Sequence, residues 1–413
     1  MKQSQFFVKT LKDAPKDEVS LNAQLLIRAG FVDKLTAGVY TFLPLGFRVL
    51  KNIEKIIREE MISAGALELL LPALHPKSNW QETGRWDTYD SLFRFTSHYT
   101  KTEYTLGPTH EEIISPLAGR FNLSYRNLPF ALFQIQNKFR DEARAKSGLL
   151  RGREFFMKDL YSFHRNEADL NDYYEGMKGV YRKIFSRAGL GHITYLTFAS
   201  GGSFSKHSHE FQALTPSGED RIHICDKCAV AVNEEIIKDQ NTCPECGNGD
   251  LREEKAVEVG NIFKLRTKFS EPFALTYKDE NGKNEAVEMG CYGIGLNRLM
   301  GTVVEAHHDD RGIVWPEAVA PFKYHLIAIG ESAAVKSESD RFYEDLKKRG
   351  AGVFYDDRDG VSAGEKFSEA DLIGIPVRLV VSEKTIKKGG VELKKRGDNQ
   401  ARTVKIEELF SAL

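Results

Sequence analysis

Phe139-Arg140-Asp141-Glu142, the basic loop Ala143-Arg144-Ala145-Lys146-Ser147-Gly148, and the run from Arg151 to Asp159 decide how this chain is read. The segment reads as strand, loop, strand. Over residues 130–140, Phe133, Ile135 and Phe139 alternate with Gln134, Gln136, Lys138 and Arg140. Side chains alternate faces along a strand, so one face is apolar and the other is free to work. That pattern suits an antiparallel sheet packed on one side. In the second strand Arg151, Phe155 and Asp159 share a face by the same parity. A guanidinium fork binds two phosphate oxygens at fixed geometry, and an exposed aromatic ring stacks a purine. The pattern predicts ATP. Arg140 would hold the α-phosphate and the attacking carboxylate, and Arg151 and Arg298 the far phosphates. Phe155 would stack the adenine, with Glu142 accepting from its amino group. Taken alone, the hairpin also reads as a solvated basic loop. Gly290-Cys291-Tyr292-Gly293-Ile294-Gly295, read as a turn into the helix of Arg298, favours the ligand. Its glycines permit close backbone approach, although it does not follow the dinucleotide fingerprint.

Working outward, 413 residues suggest two or three domains. No apolar run near 18 residues exists, so no membrane span is expected. Residues 1–7 lack the long apolar stretch of a signal peptide. Four of five cysteines fall in tight pairs, which suggests a metal site in a reducing compartment, and hence a cytoplasmic enzyme. A formal net charge of −1 excludes a dedicated nucleic-acid coat protein. Local basic patches remain: residues 138–158 hold seven basic and three acidic side chains, and 384–396 hold six basic ones against Glu392.

Apolar spacing from Leu45 to Met61, stopped by Gly65, predicts a helix in a largely helical N-terminal stretch. Residues 67–71 before Pro72 read as an edge strand. Asn166 with Asp169 caps a helix to about Ala188, ended by Gly189. Gly201-Gly202-Ser203 opens a flexible loop. From residue 322 strands and helices alternate, giving a small α/β unit with a mixed sheet.

These segments resemble the three signature motifs of class II aminoacyl-tRNA synthetases: 65–72 the first, 139–159 the second, 290–298 the third. Leu106-Gly107-Pro108-Thr109-His110-Glu111-Glu112, Ser208-His209-Glu210-Phe211 and Arg311-Gly312-Ile313-Val314-Trp315-Pro316 resemble the bacterial-type prolyl branch. The likeness runs nearly end to end. One departure is Asn297, where the family usually has Glu before the arginine.

The resemblance implies a class II fold. An α+β catalytic domain with a helix-flanked antiparallel sheet would span 1–219 and 257–320. A Cys-rich, zinc-ribbon-like insertion would occupy 220–256, and a C-terminal α/β anticodon-binding domain 321–413. It implies a homodimer built on the first motif. The implied activity is proline–tRNA ligation with L-proline, ATP–Mg²⁺ and tRNA(Pro) as substrates, Arg140 and Arg298 being the catalytic pair. Thr109 and Glu111 would bind the imino group, since a secondary ammonium offers two donors. Read locally, Thr109 with Glu112 is also a capping box. Arg140, His209, Phe211 and Cys291 would complete the proline pocket, His209 being read against a purely structural histidine, and Met157 and Asp159 join them by strand parity with Phe155. Cys225-x2-Cys228 and Cys243-x2-Cys246, separated by 14 residues, have ribbon-type spacing for a structural Zn²⁺; a metal-free knuckle is the alternative. Residues 220–255 leave no room for a large editing domain. Clearance of alanyl-tRNA would then fall to a separate deacylase acting in trans. Asp357, Arg358 and Lys366 are the candidate anticodon contacts, read against a merely solvated charged loop. The rival readings are a threonine or glycine ligase, a catalytically inactive synthetase-like tRNA-binding or accessory protein, and a zinc-ribbon nucleic-acid binder that explains only the insertion.

Overall fold

The structure, a computed structural model, describes residues 1–16, 18–202, 207–405 and 408; Ser203 of the glycine-rich loop lies outside them. The chain divides into two compact units. Leu35–Val39 and Ile53–Thr302 form one; Met1–Lys34, Tyr40–Asn52 and Val303–Leu413 form the other. The N-terminal residues are thus grouped with the C-terminal ones.

The first unit is built on a nine-stranded sheet. Its strands are β1 (Leu67–Glu68), β2 (Phe130–Phe139), β3 (Glu154–His164), β4 (Thr194–Ser200), β5 (His207–Leu214), β6 (Asp220–Cys225), β7 (Val230–Asn233), β8 (Arg252–Arg266) and β9 (Glu288–Gly295). They lie in the order β5-β4-β7-β6-β8-β9-β3-β2-β1. All neighbours are antiparallel except β1–β2 and β4–β7. Strand β5 also pairs with β8, so β4 to β8 close into a ring. The cysteine-rich segment is woven into this ring, supplying β6, β7 and the start of β8. Ile222, Ile224, Ala231 and Ala256 bury against Tyr195 and Leu214. So few apolar side chains cannot make a core of their own, and these strands complete one with the main sheet.

Strand β9 corrects the sequence reading of a glycine turn. The segment is strand up to Gly295, and the helix Leu296–Ala306 starts at the next residue. The glycines answer cross-strand crowding. A Cβ on Gly293 would sit 2.5 Å from Met157 Cε and 2.8 Å from Asn261 Oδ1.

One sheet face is covered by the helix Glu167–Arg187. Asn166 Oδ1 accepts from Asp169 N at 3.0 Å as the expected cap, and Gly189 follows at φ +88°. Leu170, Tyr174, Met177, Tyr181 and Ile184 recur at helical spacing and are buried, each contributing about 1.5–3 kcal/mol. The N-terminal stretch is less helical than its pattern. It holds helices Leu21–Arg28 and Pro44–Ser63, but a hairpin, Val32–Thr36 with Val39–Phe42, turns at Gly38, whose φ is +75°.

In the second unit, strands β10 (Tyr324–Ile329), β11 (Val353–Asp356), β12 (Val377–Ser382), β13 (Gly390–Lys395) and β14 (Arg402–Lys405) lie in the order β11-β10-β12-β13-β14. Strand β10 is parallel to β11 and β12, and the remaining pairs are antiparallel. Helices Ala333–Lys348 and Ala363–Ile373 are capped by Ser332 and Ser362. This is the mixed α/β unit the alternation predicts. No helix among the described residues is long and apolar enough to cross a membrane.

Candidate active site

Strands β3, β8 and β9, with the loop that follows β2, surround a cavity lined by Arg140, Glu142, Arg151, Phe155, Met157 and Arg298, among others. The parity read from the sequence therefore holds in β2 and β3, and the distant arginine joins them. Arg140 Cζ lies 5.3 Å from the Phe155 ring centroid. Its Nη2 donates to Pro108 O at 3.4 Å, while Nε is buried with no partner among the described residues. Burying a charged donor unpaired is costly, so this group is set to meet a ligand. Arg151 is held by Glu142 at 2.8 Å and Glu219 at 3.0 Å. Arg298 donates to Leu150 O at 2.8 Å and to Glu258 Oε2 at 3.1 Å. Asn297 Oδ1 accepts from Phe156 N at 3.0 Å and ties the start of the helix Leu296–Ala306 to β3.

Deeper along the same face, Thr109 Oγ1 donates to Glu111 Oε2 at 2.6 Å, and Cys291 Sγ approaches Glu111 Oε1 at 3.4 Å. The capping box does not form: the helix Glu111–Gly119 is preceded by His110 without a side-chain cap, and Glu112 turns to Arg85 Nη1 at 2.8 Å. Glu111 and Glu112 are both buried, and burial pushes Glu112 up to about 7 against the pull of Arg85. Asp159 pairs with Lys138 Nζ at 2.7 Å and accepts from Gln134 Nε2 at 3.0 Å. Lys138 is fully buried, which lowers its pKa against the opposing pull of Asp159. Its ammonium also donates to His110 Nδ1 at 2.7 Å. The opposite nitrogens of His110 and His75 each lie 3.0 Å from Pro72 O. Burial holds both imidazoles neutral, His75 at about 4. One N–H each then goes to Pro72 O, leaving Nδ1 as acceptor.

His209 and Phe211 lie on the other face of the sheet. His209 Nδ1 shares a 2.8 Å hydrogen bond with the Tyr174 hydroxyl, and the Phe211 ring centroid is 5.1 Å from that of Tyr181. The structure therefore does not bring these two together with Glu111 and Asp159. Their neighbours Glu210 and Gln212 take the opposite parity. Gln212 Nε2 donates to Glu210 and to Asp220, each at 2.9 Å. Burial, reinforced by Glu258, pushes Glu210 up to about 8. Sequence reasoning missed Arg85, His110, Glu210 and Glu258 as neighbours of the site. Lys138 had the right strand parity but was given no role. Arg85 carries no local signal, because its carboxylate partners are 26 and 27 residues away in the chain.

The four paired cysteines converge. Their sulfurs all lie within 4.8 Å of one another, and Cys225 Sγ is 3.7 Å from Cys246 Sγ. Four thiolates about 2.3 Å from a tetrahedral ion stand roughly 3.8 Å apart, so the cluster can hold a metal ion. In the second unit Asp357 accepts from Ser4 N at 2.9 Å and Ser4 Oγ at 2.8 Å. Arg358 pairs with Asp356 at 2.8 Å and Glu369 at 2.7 Å. Lys366 is buried and donates to Ala328 O and Arg358 O.

Residues 93–307 match the class II core domain of tRNA synthetases (G, H, P, S and T), and 319–413 match the anticodon binding domain. The chain is 40% identical to a proline–tRNA ligase of Wolbachia sp. subsp. Brugia malayi, covering 100% of this chain and 99% of the relative. A proline–tRNA ligase of Zymomonas mobilis is 41% identical, with 100% and 98% covered. The chain belongs to the proline–tRNA ligase family. A relative of the same name from Halothermothrix orenii is 32% identical, with 99% and 98% covered over 558 aligned positions. Since this chain has 413 residues, that longer ligase carries residues with no counterpart here. The class II core match thus contains β2 to β9 of the nine-stranded sheet and the cavity, and the five-stranded sheet lies in the anticodon-binding domain.

Proposed function

We propose that the protein joins L-proline to tRNA(Pro) in two steps. A carboxylate oxygen of proline attacks the α-phosphorus of ATP; the link to the β-phosphate breaks and pyrophosphate leaves. The terminal ribose hydroxyl of the tRNA then attacks the prolyl carbonyl and AMP leaves. No protein nucleophile is needed, so catalysis is positioning and charge stabilisation. The observation that carries this reading is that Arg140 and Arg298, far apart in sequence, line one cavity with Phe155, beside Gly260 of β8 and Gly293 of β9. Arg140 holds the α-phosphate and the carboxylate through its unpaired edge. Arg151 and Arg298 take the far phosphates, Phe155 stacks the adenine and Glu142 accepts its amino group. Magnesium enters with the triphosphate.

Thr109 and Glu111 receive the imino group, with Met157, Asp159 and Cys291 around the ring. His209 and Phe211 act from behind the sheet, by fixing β5. A structural Zn²⁺ on Cys225, Cys228, Cys243 and Cys246 ties the ends of β6 and β8. Asp357 and Arg358 face the anticodon, and buried Lys366 orders their loop. Ile62, Leu67, Leu70 and Leu74 are exposed around the first motif, an apolar surface that a second copy of the chain covers in a homodimer. The cytoplasm is the proposed location, with mischarged alanyl-tRNA left to a separate deacylase.

The test is proline-dependent ATP–pyrophosphate exchange compared over all twenty amino acids. Proline should support the fastest exchange of the twenty, and Arg140→Ala should abolish it. Exchange driven better by threonine or glycine, or by no amino acid, overturns the proposal.

A further inference from the structure

The N-terminal hairpin turns at Gly38, and its residues Leu35–Val39 group with the nine-stranded sheet and its cavity. Gly38 is buried, with φ at +75°. Its carbonyl oxygen accepts from Arg153 N at 2.7 Å and from Glu154 N at 3.4 Å. The turn is thus seated on the end of the loop that joins β2 to β3. The fit is close from both sides. A Cβ on Gly38 would sit 2.6 Å from Ala145 Cβ and 2.9 Å from Arg153 N, and one on Gly152 would sit 3.0 Å from Gly38 O. A left-handed φ and so close an approach both favour glycine.

Arg153 carries the contact across the loop. Its Nε and Nη2 both donate to the backbone carbonyl of Glu142, at 3.1 Å and 3.0 Å. Its own carbonyl accepts from Arg140 N at 2.8 Å. Hydrogen bonds from a charged donor are stronger than neutral ones, so the two ends of the loop are firmly tied. The tie matters because residues 143–147 are exposed or half-buried, and packing alone gives such a segment little hold. Glu142 lines the cavity. Both of its bonds to Arg151, at 2.8 Å and 2.9 Å, fall on Oε2, which leaves Oε1 for another donor. A carboxylate only accepts. Adenine places an amino donor where guanine and hypoxanthine place a carbonyl oxygen, so a Glu142 held in one position admits the first and repels the others.

We propose that the Gly38 turn and Arg153 form a clip that fixes the backbone of Glu142 and so makes the site select adenine among the purines. This rests on the reading of Glu142 as acceptor for the adenine amino group. Gly38 and Arg153 are positioning residues, acting on the nucleotide through Glu142. The clip governs which base is accepted and leaves the proline end alone, since Thr109 and Glu111 belong to a different segment of the chain.

The experiment measures proline-dependent pyrophosphate exchange with ATP and with purine riboside triphosphate, which lacks the amino group. It compares the full-length protein with Arg153→Met, which keeps the stem and removes the guanidinium, and with Gly38→Ala, which pushes the turn off the loop. The unsubstituted protein should prefer ATP in kcat/KM by at least about tenfold, as one hydrogen bond to a charged group implies. In Arg153→Met the KM for ATP should rise about tenfold, the analogue should be used as before, and the KM for proline should not move. Gly38→Ala should act in the same direction. An ATP preference that survives in Arg153→Met overturns the proposal. An equal loss with both nucleotides also overturns it, by making Arg153 a general prop of the site, and so does a matching rise in the KM for proline. If the unsubstituted protein uses both nucleotides equally, the reading of Glu142 as the adenine contact fails. Amide hydrogen exchange over residues 142–152 then tests the clip by itself: Arg153→Met should quicken it, and unchanged protection overturns the clip.

Discussion

Lys138→Met is the substitution that most directly probes how the amino-acid end of the site is built. Lys138 is fully buried, 2.7 Å from Asp159 and 2.7 Å from His110 Nδ1. Methionine keeps the length of the side chain and removes the charge. Asp159 is then left buried with Gln134 Nε2, at 3.0 Å, as its remaining side-chain donor. Removing one partner of a buried ion pair costs about 3–5 kcal/mol, mostly because the other charge stays uncompensated. For a unit of this size that lowers the melting temperature by roughly 10 °C. The double variant Lys138→Met, Asp159→Asn removes both charges, and an amide can still bond to Gln134. It should recover at least half of the lost stability, a coupling of about 2–3 kcal/mol. The KM for proline should remain raised in both variants, because the pocket has lost a fixed carboxylate geometry. Thermal unfolding at one scan rate and pyrophosphate exchange over a proline titration read the two effects separately. The reasoning fails if Lys138→Met melts like the unsubstituted protein. It fails equally if the double variant is no more stable than the single one.

Gly293→Ala places a methyl group 2.5 Å from Met157 Cε and 2.8 Å from Asn261 Oδ1; both are tips of flexible side chains that can swing aside, so stability should fall by only about 1 kcal/mol, while their displacement into the cavity raises the KM for ATP, as an ATP titration of exchange would show. Burial pushes Glu210 from 4.5 up to about 8, so the folded protein binds more protons than the unfolded chain between those values. Stability from this group is full below pH 4.5 and is lost as pH rises through 8; Glu210→Gln should flatten that decline in urea midpoints taken at pH 5, 6.5 and 8. Cys243→Ser should release about one equivalent of bound metal in elemental analysis and make β6 and β7 exchange their amide hydrogens faster, while unchanged metal content would remove the four-thiolate site from the account.

Much of the fold is legible because it depends on short-range rules. The parity of β2 and β3, the Asn166 cap and the alternation after residue 322 each follow from neighbours within one element. The partners of the site are less legible. His209 and Phe211 read as pocket residues, yet β5 turns them under the helix Glu167–Arg187. Which face a strand offers depends on its register with β8, where a bulge falls between Phe211 and Gln212. A shift of one residue exchanges the faces, and no pattern inside β5 records it. The glycines of β9 were similarly ambiguous. Glycine suits a turn and a crowded strand equally well, and only the proximity of Met157 and Asn261 separates the two.

By itself, the order of residues determined that Arg140, Arg151, Phe155 and Asp159 would share one surface and that four cysteines could meet, since both depend on spacing along a few dozen residues. Only the tertiary structure decided that Glu258 closes the cavity beside Arg298, that Lys138 and His110 hold Asp159, and that Gln3 reaches Glu369 from 366 residues away. Charges and hydrogen bonds act across space, so a partner distant in the chain leaves no local trace until packing brings it near.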